Sequence, residues 1–394
     1  MLDSLGIILT HMSPSQSIRV AVVGSGPAGF YATGALLARE PPVQVDLFDR
    51  LPTPWGLVRL GVAPDHPKIK SVSKAFEKIA QRPGFRFFGN VEIGRDVSHE
   101  ELASLYDAVV YTVGSQTDRR MGIPGEDLPG SWPATAFVAW YNAHPDFHGL
   151  TFDLSSKRAV IIGNGNVAVD VARMLALTAD ELAPTDTADD AIAAINAAGI
   201  EEIVVLGRRG PAQAAFTTPE LIELTKLGGA DLIVDPADLE LDPASAAALE
   251  EDTALARRNI EVLREAAVTP PAGKRRRVVL RFCRSPVAIL GDGAVEGVEI
   301  VHNELVLDDH GRIAAVPTER REVLDCGIVF RSVGYRGVGV PGVPFDEASA
   351  TIPNVEGRVF GLDGEPVAGV YCAGWIKRGP SGVIGTNKIR RAHV

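Results

Sequence analysis

Residues 18–40, IRVAVVGSGPAGFYATGALLARE, decide how the first part of this chain folds. Val20, Val22 and Val23 make a β-branched run of the kind buried on both faces of a parallel sheet. Gly24, Gly26 and Gly29 then satisfy G-x-G-x-x-G, and an Ala/Leu-rich run of helical character follows. A second strand, VQVDLFD, closes on Asp49, 20 residues past Gly29. In such a unit the glycines permit a tight turn and close approach of the backbone to a pyrophosphate at the helix N-terminus. An acid ending the second strand accepts hydrogen bonds from a ribose 2′-hydroxyl. The pattern predicts a dinucleotide site that takes a free ribose. The competing reading is a Gly-rich turn that serves only helix-to-sheet packing.

The pattern recurs at residues 158–175, RAVIIGNGNVAVDVARML, where Gly163, Gly165 and Ala168 fit G-x-G-x-x-A. The next strand, EEIVVLGRRG, ends in Arg208 and Arg209 instead of an acid. Two cations there suit the 2′-phosphate of NADP through charge-assisted contacts; the alternative is a solvated basic turn. The two sites thus differ in sign, the first suiting FAD and the second NADP(H).

The stretch 105–130, LYDAVVYTVGSQTDRRMGIPGEDLPG, reads as a buried strand running out of the first domain, and 326–337, CGIVFRSVGYRG, as the return. The expected fold class is α/β, with two Rossmann-like dinucleotide-binding domains, the NADP domain inserted within the FAD domain. The expected boundaries are a disordered leader at 1–17, an FAD domain at 18–115 and 331–394, and an NADP domain at 116–330. Met12 is a possible alternative start. Residues 231–285 read as helical and charge-rich, with Lys274, Arg275, Arg276 and Arg277 either a solvated face or part of a basic patch.

The chain has 394 residues, 46% hydrophobic and 23% charged, enough for two or three domains with sizeable cores. No apolar run is long enough to span a bilayer, and the first residues make a poor signal peptide. Cys283, Cys326 and Cys372 are scattered with no C-x-x-C. That spacing argues against a metal site and against a flavin disulfide reductase, and favours a reducing cytoplasmic location. A net charge of −11 disfavours nucleic acid as a partner.

Taken together, GSGPAGFY (24–31), PWGLVRLGVAPDHPKIK (54–70), FRFFGNVEIGRDV (85–97), FVAWYNAHP (137–145), GNGNVAVDVAR (163–173), VLGRRGPAQAAFTTPEL (205–221) and GWIKRGPSGVIGT (374–386) resemble adrenodoxin reductase and the mitochondrial-type ferredoxin–NADP reductases. The resemblance implies FAD contacts at Ala28, Asp49, Leu57, Ile93, Trp375, Gly382, Val383 and Ile384. It implies NADP contacts at Asn164, Gly165, Asn166, Val167, Arg208, Arg209, Glu220 and Gly382. Members of the family often carry Glu where this chain has Asp49; the shorter acid can do the same work. They also continue past the GT motif with a further helix, whereas here the sequence ends in KIRRAHV.

Chemistry suggests further roles. Backbone N–H groups of GPSGVIGT suit charge building on a flavin carbonyl. His66 is either a proton relay beside the flavin or a structural histidine in a Pro-rich loop. Thr218 at an N-cap with Pro219 at N1 predicts a helix, with Glu220 and Glu223 on one face. Glu220 is expected near the nicotinamide ribose and Glu223 nearer the ring, against the alternative of a solvated helix start. Asp170 lies in the first turns after the second fingerprint, where a helix N-terminus favours an anion. Trp55 and Trp375 are candidates to abut the isoalloxazine or to fill core. The expected function is transfer of hydride from NADPH to FAD, then of single electrons to a ferredoxin-like iron–sulfur protein. The alternatives are an NADPH diaphorase or quinone reductase, and a shortened nucleotide-binding remnant with little turnover.

Overall fold

The computed structural model describes residues 17–251, 254–382 and 384–385. The leader at 1–16, Val383, Arg390 and Arg391 lie outside the described residues. The chain divides into two compact units, and the second is inserted in the first. Residues 17–62, His66–Arg119 and the segment from Gly334 form one; Ala63–Asp65 and Arg120–Val333 form the other.

The first unit is built on a seven-stranded sheet. Its parallel part runs Pro366–Cys372, Ala108–Tyr111, Ile18–Val23, Val43–Phe48, Phe85–Phe88, and a short antiparallel extension, Arg358–Phe360 and Asn354–Val355, continues from Pro366–Cys372. Val20, Val22, Val45, Leu47 and Val110 are buried on one face with Phe30 and Phe76; Ala21, Val23, Val109 and Ile376 fill the other. Burial on both faces is why these strands read as unbroken apolar runs.

The second unit carries a six-stranded sheet, all its pairings parallel, in the order Ser131–Pro133, Ile328–Arg331, Arg158–Ile162, Glu202–Leu206, Arg276–Arg281, Ala230–Val234. An antiparallel three-stranded sheet, Arg284–Leu290, Gly297–Leu307 and Ile313–Asp325, is added to it. Both halves are Rossmann-like, as expected. No helix among the described residues is long and apolar enough to cross a membrane.

The reading of 231–285 needs correcting. The helices Pro243–Glu251 and Ala254–Val268 are flanked by the strands Ala230–Val234 and Arg276–Arg281. Of the basic run only Arg276 is inside; Lys274, Arg275 and Arg277 are exposed. Arg276 is 3% exposed, and its guanidinium donates to the carbonyls of Leu175, Ile195 and Ile200. Lys274 donates to the carbonyls of Leu227 and Ala230, and Arg277 pairs with Glu202. These cations close the ends of neighbouring elements.

Candidate functional site

In the first unit the three fingerprint glycines have three different reasons to be glycine. Gly24 has φ +102°, its N–H donates to the Phe48 carbonyl at 2.8 Å, and a Cβ there would lie 2.7 Å from the Thr112 carbonyl oxygen. A Cβ on Gly29 would collide with the Gly24 carbonyl, so the helix lies against the turn. Gly26 is the opposite case: a Cβ would meet nothing within 4 Å. It is the N-cap of the helix Pro27–Leu36 and gives that helix no side-chain cap. The N–H groups of the first turn therefore face an open, backbone-lined cradle, which fits a pyrophosphate.

Asp49 follows the second strand directly. Its Oδ2 accepts from the backbone N–H and hydroxyl of Ser25, and its Oδ1 from the Leu51 N–H at 2.9 Å. A carboxylate offers about four lone-pair sites, so the anchored acid keeps capacity for a ribose hydroxyl. The loop after it folds back on the fingerprint. The Trp55 N–H donates to the Ser25 carbonyl at 3.0 Å, and a Cβ on Gly56 would lie 2.9 Å from the Gly26 Cα. Trp55 holds φ +93°, a conformation strained for an aromatic residue, with the Arg59 guanidinium 4.4 Å over its ring. Leu57 opens the short helix Leu57–Leu60 and is exposed. Gly374, at φ +77°, brings the Trp375 turn against Ala28, whose Cβ a Gly374 Cβ would meet at 2.6 Å.

The expected FAD residues Ala28, Asp49, Leu57 and Trp375 thus sit on segments tied to one turn. Ile93 is 7% exposed, in an apolar cluster with Phe48 and Ile376, so its side chain is core. Ile384 packs at the edge of the other core cluster, and Gly382 is exposed with φ +82°. His66 is 8% exposed, and its carbonyl caps the following turn by accepting from the Ile69 and Lys70 N–H groups.

The second unit repeats the scaffold. Gly163 has φ +123°, its N–H donates to the Leu206 carbonyl at 2.9 Å, and a Cβ would collide with the Ser332 carbonyl. Gly165 is the uncapped N-cap of the helix Asn166–Ala176, with open space where a Cβ would stand. Asn164 accepts from the Ala215 N–H at 3.2 Å, and the Asn166 side chain from the Thr217 N–H at 2.8 Å. Val167 packs at the edge of the core. Arg208 and Arg209 follow the second strand; Arg208 is exposed and Arg209 half-buried. Burial, and then the charge of Arg208, lower the Arg209 pKa. Two crowded cations of this kind gain from an anion between them.

The helix of Glu220 spans Thr218–Thr225, and its N-cap is Thr217, one residue earlier than expected, with no side-chain cap. The cap shifts because the Thr217 N–H is drawn to Asn166. Glu220 and Glu223 share a face, as expected, and that face meets a residue the sequence reading passed over. Arg173 is 2% exposed. Its Nε and Nη2 bind Asp65 at 2.6 and 3.1 Å, Nη2 also binds Asp170 at 2.8 Å, and Nη1 lies 3.2 Å from Glu220 and 3.3 Å from Glu223. Burial works against its charge, but the hydrogen bond and charge of Asp65 and the charges of Asp170 and Glu223 outweigh it, and the pKa is raised. The arrangement holds the carboxylates in fixed places beside the nucleotide helix. The signal for it was the D-x-x-R spacing of Asp170 and Arg173.

The chain is similar to known proteins over nearly its whole length. The family model described as "Pyridine nucleotide-disulphide oxidoreductase" matches residues 18–197. The cysteines Cys283, Cys326 and Cys372 are all free, so the chain carries no disulfide of the kind that description mentions. A relative from Mycobacterium leprae named NADPH-ferredoxin reductase FprA is 55% identical over 383 residues, covering 96% of this chain and 82% of its own length. NADPH:adrenodoxin oxidoreductase, mitochondrial, from Arabidopsis thaliana is 42% identical, covering 95% of this chain and 80% of its own. A solved structure of Mycobacterium tuberculosis FprA in complex with NADPH superposes with a TM-score of 0.89 at 54% identity, covering 95% of this chain and 82% of that one. Two linked Rossmann-like halves, one ending its second strand in an acid and the other in two arginines, together with relatives this similar over nearly the whole chain, place the protein: it belongs to the adrenodoxin-reductase-type family of ferredoxin–NADP reductases.

Proposed function

We propose that this chain is an FAD-dependent NADPH–ferredoxin reductase. One observation carries the reading most directly: equivalent turns in two matching scaffolds bear opposite charge, Asp49 in one and Arg208 with Arg209 in the other. The names of the relatives support ferredoxin as the acceptor. FAD, when bound, takes hydride from NADPH and releases electrons singly, which links a two-electron donor to a one-electron acceptor.

The protein's part is to bind and orient. Gly24, Gly26, Ala28 and Gly29 cradle the FAD pyrophosphate, and Asp49 takes the ribose. Leu57, Ile93, Trp375, Gly382, Val383 and Ile384 complete the FAD contacts, Val383 on family resemblance alone. Asn164, Gly165, Asn166 and Val167 cradle the NADP pyrophosphate, and Arg208 and Arg209 grip the 2′-phosphate. Glu220 contacts the nicotinamide ribose, and Gly382 is a further NADP contact on family resemblance. Arg173 orients Asp170, Glu220 and Glu223, and Glu223 and Asp170 line that place beside Glu220. His66 is assigned to proton exchange on the flavin side. On this reading residues 18–115 and 331–394 make the FAD domain and 116–330 the NADP domain, and the location is the cytoplasm.

The test is cytochrome c reduction by the FAD-loaded protein with NADPH. The reading expects slow turnover alone and fast turnover when a ferredoxin is supplied, slowing as salt rises because an acidic acceptor is drawn by local charge. Equal rates with and without ferredoxin would instead favour a diaphorase.

A further inference from the structure

Three consecutive carbonyls of the Gly207–Arg209 turn are held by the strands beside it. The Gly207 carbonyl accepts from the Arg284 N–H at 2.9 Å and the Arg209 carbonyl from the Cys283 N–H at 3.0 Å. The Arg208 carbonyl accepts from the side-chain amide of Asn303, Nδ2, at 2.7 Å. The first two anchors are backbone. The third is a side chain, so it is the one a substitution removes cleanly.

Asn303 is built into its place. It is 7% exposed in the strand Gly297–Leu307, and its own N–H donates to the Cys283 carbonyl at 2.8 Å. Nδ2 also donates to the Ser285 hydroxyl at 2.8 Å. The pairing of its strand with Ile313–Asp325 shifts register between Val301 and Asn303, an irregularity of the kind that re-aims a side chain. Oδ1 is buried with no hydrogen-bond donor among the described residues. A reversed amide would set that oxygen against the Arg208 carbonyl, so the orientation is fixed.

We propose that Asn303 is a positioning residue for 2′-phosphate recognition: it anchors the backbone of Arg208, and so sets the preference for NADPH over NADH without touching the nucleotide. The proposal rests on the reading of Arg208 and Arg209 given above. Two cations packed side by side repel, and Arg209 is half-buried. A loosened turn would relieve that repulsion by letting the two side chains move apart, at a cost to binding one phosphate with both.

The test uses FAD-loaded protein and two readouts, calorimetric binding of 2′,5′-ADP against 5′-AMP, and KM for NADPH against NADH. Asn303→Leu keeps the shape and removes the donor. Asn303→Ala removes the donor without adding charge or bulk; it answers the same question if the leucine variant does not fold. Each should weaken 2′,5′-ADP by about three- to tenfold, the worth of one buried hydrogen bond. KM for NADPH should rise in step, while 5′-AMP affinity, KM for NADH and the flavin spectrum stay within about twofold. Unchanged 2′,5′-ADP affinity in a folded variant overturns the proposal, as do equal losses for NADPH and NADH. Arg208→Ala is run alongside. If it weakens 2′,5′-ADP and the Asn303 variants do not, only the Asn303 inference fails; if Arg208→Ala also has no effect, the reading of the arginines fails with it.

Discussion

The two nucleotide folds of this chain are close copies in backbone and opposites in charge. In each, the first glycine takes a positive φ and donates to the last residue of the second strand, Phe48 in one unit and Leu206 in the other. In each, the residue after a flanking strand backs that glycine: Thr112 donates to Val23 at 2.7 Å, and Ser332 to Ile162 at 2.7 Å. Divergence begins where the scaffold ends. Ten residues past the first glycine, Gly34 packs on Ile79 in the first unit, while Arg173 gathers four carboxylates in the second. On the reading proposed above, the scaffold sets where a dinucleotide lies and the residues at its rim set which dinucleotide it is.

The largest effects come from breaking either copy of the scaffold. Gly163→Ala puts a Cβ onto the Ser332 carbonyl at a left-handed φ. It should abolish measurable 2′,5′-ADP binding, with FAD still bound and the protein yellow. Gly24→Ala should give the reverse, a colourless protein that binds 2′,5′-ADP. Loss of both nucleotides in either variant would show that the two copies do not act separately.

Next in size is Arg173→Met. Removing the buried cation leaves Glu220 buried and Asp65 and Asp170 part-buried without their partner, a loss of up to about 3–5 kcal/mol. Urea unfolding should show a loss of this order for the second unit. At the matching position of the first unit no charge is at stake, and Gly34→Ala should act through its contact with Ile79, offset by alanine's better helix propensity. A stability loss below about 1 kcal/mol for Arg173→Met would mean that the carboxylates are held by other contacts.

A smaller, pH-dependent effect distinguishes the second strands. Asp46 is 3% exposed, and Val204 stands at the matching position. Burial raises the Asp46 pKa, but hydrogen bonds from Arg86, at 2.7 and 2.5 Å, and from Tyr106, at 2.6 Å, more than reverse this and leave it lowered. Tyr106 itself is pushed up to about 12 by burial and by Asp46. A depressed carboxyl stabilises the fold above its unfolded pKa, and that contribution is lost as pH falls through the folded value. Arg86→Met should therefore be less stable than the parent at pH 7, and the gap should close below about pH 4. A gap independent of pH would contradict the assignment.

Much of this was legible in the sequence because it is local. Strand, glycine turn, helix and closing residue fall within one stretch of chain, and the sign of Asp49 or of Arg208 and Arg209 is read directly. The Arg173 cluster was not legible as a whole, because Asp65 and Glu220 come from 108 and 47 residues away. Asn303 reaches a turn 95 residues distant. Of Lys274–Arg277 only Arg276 departs from the reading as a solvated face, because a charge run says nothing about alternation. Once the run enters a strand, Arg276 points inward to carbonyls and Arg277 outward to Glu202. The N-cap at Thr217 was missed by one residue for the same reason, since its partner Asn166 lies 51 residues away.

The central claim is that the second copy reads a 2′-phosphate and delivers hydride to flavin held by the first. Stopped-flow reduction of the bound flavin by NADPH and by NADH, in the parent and in Arg208→Ala and Arg209→Ala, tests it most directly. Losing one charge-assisted contact should raise the NADPH concentration for half-maximal reduction about ten- to a hundredfold. The limiting rate, the NADH response and the flavin spectrum should stay nearly unchanged, as expected when ground and transition states lose the same contact. Equal losses with both nucleotides, or a parent protein that reduces its flavin equally well with NADH, would contradict the account.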